Sequence, residues 1–119
     1  MRLVEDPDAA FRLDALEGEP GDFEWDQGNR TKLKKHNVEQ EDVASMLRSP
    51  IMFAARIIEP AHDEPRWLVL GKSARGRKLA LILTRRDERL RPISYRAMRG
   101  NERKVYEEAI REEGEGGRS

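Results

Sequence analysis

The chain has no cysteine, two histidines (His36 and His62) and only seven aromatic side chains in 119 residues. Without thiols it can form neither disulfides nor thiolate metal sites, and two imidazoles are a poor supply of metal ligands. No metal or other cofactor is therefore expected. The start, Met1-Arg2-Leu3-Val4-Glu5-Asp6, lacks the apolar core of a secretion signal, and no hydrophobic run approaches the length of a membrane span. These absences predict a soluble, cytoplasmic protein. No internal repeat is visible, and the length suits one small domain.

Charge is abundant but unevenly placed. The formal net charge is zero, yet residues 1–29 carry two Lys/Arg against nine Asp/Glu, whereas residues 30–111 carry 20 against 11. The basic excess is densest in residues 66–104, with 13 basic and three acidic side chains. A basic body with acidic ends points to a polyanionic partner, with RNA as the leading candidate.

Local patterns predict an α+β domain. Residues 1–22 read as an acidic extension, punctuated by Pro7, Gly18, Pro20 and Gly21 and loosely attached. Phe23-Glu24-Trp25 alternates as a short strand should, and Asp26 is a candidate N-cap for a helix over 27–35. His36-Asn37 would end that helix, since Asn accepts a left-handed backbone. A second helix is expected over 40–47, where Glu41 and Asp42 favour its N-terminus and Ser49-Pro50 stops it. Four strands should follow, over 51–58, 66–73, 77–84 and 90–96, joined by short connections that favour antiparallel pairing. Pro92 cannot donate to a ladder, so the last strand should be an edge or bulged there. A helix over 102–112 and a tail at 113–119 complete the domain, which spans 23–112.

The candidate functional residues follow from charge and face. Arg66 begins a strand that is apolar on both sides and therefore covered, which makes its charge unusual. Arg66, Arg77 and Arg96 would cluster only around an anion, because like charges repel, and arginine suits bidentate phosphate contact. His36 is a candidate proton-transfer group, because imidazole as a side-chain type suits acid–base work near neutrality, and Glu64 is a candidate base or an orienter of arginines. Lys35, Lys72, Arg75, Lys78 and Arg99 could follow an RNA backbone. Trp67, Trp25 and Phe23 read as core. The Lys72–Lys78 turn lacks the glycine spacing of a phosphate-binding P-loop.

At these residues the chain resembles the BrnT toxins of bacterial type II toxin–antitoxin pairs. Four segments carry the resemblance: Phe23-Glu24-Trp25-Asp26; Lys34-Lys35-His36-Asn37-Val38; Glu64 to Ser73 continuing through Gly76-Arg77 and Leu79; and Ile93-Ser94-Tyr95-Arg96 leading to Glu102-Arg103 and Tyr106. It covers residues 23–108. It implies a RelE-like ribonuclease fold and metal-independent RNA cleavage that inhibits translation. It also implies a cognate DNA-binding, BrnA-like antitoxin in a hetero-oligomer. In that scheme Arg66, Arg77 and Arg96 stabilise charge, and His36 or Glu64 moves protons. Asn37 stands where the family has glycine, Tyr95 where it has a small residue, and the acidic segment 1–22 is longer than usual. That segment is expected to fold over the basic face. The alternative is a non-catalytic module that binds RNA or docks an antitoxin through the same basic sheet.

Overall fold

A computed structural model describes residues 2–5, 23–48, 53–59, 63–86 and 89–116. Most of the acidic segment, His62 and the last three residues lie outside them. The elements are β1 (Arg2–Glu5), α1 (Gln27–Lys35), α2 (Gln40–Arg48), β2 (Phe53–Glu59), β3 (Arg66–Lys72), β4 (Lys78–Arg86), β5 (Arg89–Ala97) and α3 (Gly100–Gly116). The α+β class is as expected, and α1 has the expected bounds. The strands form one antiparallel meander in the order β1-β2-β3-β4-β5.

The N-terminal strand differs from the expectation. Phe23 makes a single bridge to Leu90, and the Glu24 amide donates to the Leu90 carbonyl at 2.8 Å. The short N-terminal strand is instead Arg2–Glu5, antiparallel to β2 at the opposite edge of the sheet. The first residues of the acidic segment are thus tied to the sheet.

Strand alternation sorts the core into two layers. Trp67, Val69, Leu79, Leu81, Leu83 and Tyr95 face α1 and α2, packing on Leu33, Val43, Met46 and Leu47. Leu68, Leu70 and Ala80 face α3, against Tyr106 and Ile110. The middle strand β3 is covered on both sides, as its doubly apolar sequence requires. Gly71 is where α2 comes closest: a Cβ there would sit 3.2 Å from the Met46 side chain. No helix among the described residues is long and apolar enough to cross a membrane.

Helix α1 buries only Asn29 and Leu33, so polar contacts hold it in place. The Asp26 carboxylate accepts from the Asn29 amide (2.9 Å) while the Asn29 side chain accepts from the Asp26 amide (2.8 Å), a reciprocal cap. The same Asn29 donates through Nδ2 to the Glu24 and Pro92 carbonyls, and Tyr95 Oη donates to its carbonyl at 2.8 Å. Burial pushes the Tyr95 phenol pKa up, keeping it a neutral donor. Asn37 ends the helix with φ +54°, the left-handed conformation foreseen for it.

Candidate functional site

The edge strand β5 carries the bulge that Pro92 implied. Ile82 pairs with Ser94 but the next residue, Leu83, pairs with Pro92, which leaves Ile93 as the extra residue. The carbonyls on either side of this kink turn toward α1. Asn29 takes that of Pro92, and Lys32 Nζ donates to that of Ile93 at 2.9 Å. The result is an open cavity of about 280 Å³ between the N-terminal half of α1, the bulge and the start of β3.

Four ionisable side chains border this cavity: Lys32, Glu64, Arg66 and Arg91. Register explains the meeting, since Arg66 pairs with Thr84 and Thr84 pairs with Arg91 across three adjacent strands. Thr84 is buried, and its hydroxyl donates to the Pro65 carbonyl at 2.6 Å, fixing the peptide between Glu64 and Arg66. Arg91 is engaged by Glu24 (3.2 Å) and by Asp26. The Asn29 amide and then Arg91 hold the Asp26 carboxyl pKa below its ordinary value. Arg66 is different: its Nε is buried and has no hydrogen-bond partner among the described residues.

Of the residues selected from sequence, Glu64 and Arg66 therefore share one cavity. His36 does not line it. It caps α1 one turn beyond Lys32, exposed, with its amide donating to the Lys32 carbonyl at 3.1 Å. Arg77 and Arg96 do not join Arg66, so the expected three-arginine cluster is corrected. Arg77 precedes β4 at the other end of the sheet and donates to the Asn37 carbonyl. Arg96 turns to Glu102, which accepts from it at two points. Each partner shifts the other: Glu102 is held below its usual carboxyl pKa chiefly by Arg96, and Arg96 is raised by Glu102.

The remaining basic residues are spread over the surface. Arg75 is paired to the buried Asp42 through Nε at 2.9 Å, and that pairing lowers the Asp42 pKa to about 2. Lys78 contacts Glu107 at 3.2 Å, whereas Lys35, Lys72 and Arg99 are exposed. Sequence reasoning passed over Lys32, Arg91 and Thr84 as site residues. The signals available were the basic run on α1 for Lys32 and, for Arg91, its place beside the bulge-forming Pro92. Among the described residues no group of three or more His, Cys, Asp or Glu is arranged to hold a metal ion.

Chemically, the cavity offers a carboxylate, two cations already engaged and the half-exposed guanidinium of Arg66. That combination suits an anion presented with a nearby proton to remove. No curated protein matches the chain. Residues 25–102, about two thirds of the chain, match the family described as "Ribonuclease toxin, BrnT, of type II toxin-antitoxin system". The match runs from the α1 cap to the Glu102 that holds Arg96, so it contains every residue that borders the cavity. The chain belongs to the BrnT family of type II ribonuclease toxins, a class whose members imply an antitoxin partner.

Proposed function

We propose that this protein is a metal-independent endoribonuclease of RelE-like type whose reaction takes place in the Glu64–Arg66 cavity. The observation that carries the proposal is the meeting of three cations, Lys32, Arg66 and Arg91, with Glu64 around one cavity. Arg66 is only half-buried, so the end of its guanidinium would meet a phosphodiester oxygen in the cavity. Lys32, Arg66 and Arg91 supply positive charge to balance a phosphorane, the task a metal ion performs in other nucleases.

In this reaction the RNA 2′-oxygen attacks the adjacent phosphorus. The P–O2′ bond forms and the P–O5′ bond breaks, leaving a 2′,3′-cyclic phosphate and a 5′-hydroxyl. Glu64 takes the proton from the 2′-hydroxyl. Lys32, the α1 ammonium that borders the cavity, gives a proton to the departing 5′-oxygen. Cleavage of messenger RNA in the cytoplasm would halt translation, and a BrnA-like, DNA-binding antitoxin would silence it in a hetero-oligomer.

The test is expression of wild type and Arg66→Ala in bacteria, scored by growth and by total RNA integrity. Growth arrest and RNA loss confined to wild type support the proposal. Normal growth with intact RNA for both, at equal expression, contradicts it.

A further inference from the structure

A second basic cavity, of about 310 Å³, opens at the opposite end of β4 and β5. Its charged borders are Arg77, Lys78 and Arg103, set around the small residues Gly76 and Ala97. The turn between β3 and β4 builds it. Gly76 adopts φ +83°, its amide donates to the Ser73 carbonyl at 2.9 Å, and the Ser73 amide donates to the Arg77 carbonyl at 2.9 Å. Arg77 leaves this closed turn just before β4 and Lys78 is the first residue of the strand, so both border the cavity. Arg103 comes from the first turns of α3 and is exposed. Lys78 also contacts Glu107, at 3.2 Å.

We infer that this cavity is a second phosphate subsite, which holds the RNA backbone away from the scissile bond. It rests on the reading of the chain as acting on RNA and adds where the strand goes. Thr84 borders the first cavity and Lys78 the second, six residues apart on β4. At about 3.3 Å per residue the two lie roughly 20 Å apart. That matches about six nucleotides at the 3.4 Å spacing of a stacked strand, and fewer if the strand is extended. The edge strand β5 runs from one cavity to the other, with Arg91 at the first and Ala97 at the second. Arg77 therefore has a role that needs no contact with Arg66.

The experiment measures binding of 2′-O-methyl RNA, which has no free 2′-hydroxyl, as a 20-mer and as a tetramer, over a range of salt concentrations. Wild type is compared with Lys78→Ala/Arg103→Ala, and Arg103→Glu serves as a second variant. Each phosphate that is no longer neutralised should reduce the salt slope on single strands by about 0.7, so the double variant should drop by up to about 1.4 on the 20-mer. A smaller change on the tetramer, which cannot span both cavities, completes the expected result. An unchanged slope on the 20-mer, or an equal change on both lengths, overturns the subsite. If wild type fails to cleave ordinary RNA while the length-dependent slopes persist, the cleavage proposal falls and the subsite stands.

Discussion

Arg96 and Glu102 face each other across the turn from β5 into α3, with Arg96 Nη2 donating to Glu102 Oε2 at 2.9 Å. Glu102 is nearly buried, and its Oε1 also accepts from the Arg99 amide at 2.8 Å, so one carboxylate caps α3 and anchors the arginine. This pairing leaves Arg96 held by a carboxylate rather than as a free cation on the sheet.

Arg96→Ala should accordingly destabilise the protein, because it leaves Glu102 buried without its counter-charge. The expected loss is about 2–4 kcal/mol, read by thermal or denaturant unfolding. Cleavage per folded molecule should change far less than with substitution of Arg66. A large drop in the cleavage rate at unchanged stability would return Arg96 to the site.

Stability should also fall at acid pH through Asp42. Its pKa in the folded protein is about 2, against an ordinary 3.8, because Arg75 favours the ionised form. A lowered folded-state pKa contributes stability that is complete above about pH 4 and lost as pH falls toward about 2. A shift of this size corresponds to about 2 kcal/mol. Unfolding measured between about pH 5 and pH 2 should show this loss in wild type and a flatter curve in Asp42→Asn, itself less stable at neutral pH.

Asn37 offers a backbone test. Its φ of +54° suits Asn or Gly and opposes a β-branched residue. Asn37→Gly should leave stability within about 0.5 kcal/mol, whereas Asn37→Val should cost about 1–3 kcal/mol. Equal melting temperatures for the two variants would contradict this reading.

The sequence disclosed the parts of the fold that depend on neighbours in the chain. Asp26 and Asn37 mark the two ends of α1 because capping is local chemistry, and Pro92 announces an edge or bulge because it lacks an N–H. It did not disclose what depends on register. Arg66 and Arg96 sit on strands either side of β4, and Arg77 just precedes it, so a cluster is a natural expectation. The ladder instead aligns Arg66 with Thr84 and Arg96 with Ala80, and it leaves Arg77 beyond the far end of β4. Likewise Arg2–Glu5 reads as the start of an acidic tail, because its pairing partner lies far along the chain, at Ala55–Glu59. Lys32 and Arg91 border one cavity because α1 lies against the bulge, a contact between distant segments that no local pattern encodes.

The orphaned Nε of Arg66 makes stability and activity move in opposite directions. Arg66→Met keeps the length of the stem and removes a buried donor that has no acceptor among the described residues. It should leave stability unchanged or raise it by up to about 1 kcal/mol.

The decisive measurement is single-turnover cleavage of one RNA by purified wild type and Arg66→Met in the presence of a chelator, with thermal unfolding recorded on the same samples. Wild type should give cyclic-phosphate product, and Arg66→Met a rate lower by about 10²–10³ with a melting temperature no lower than that of wild type. Cleavage by Arg66→Met at the wild-type rate, or wild-type cleavage that the chelator abolishes, would contradict a metal-free site built on Arg66.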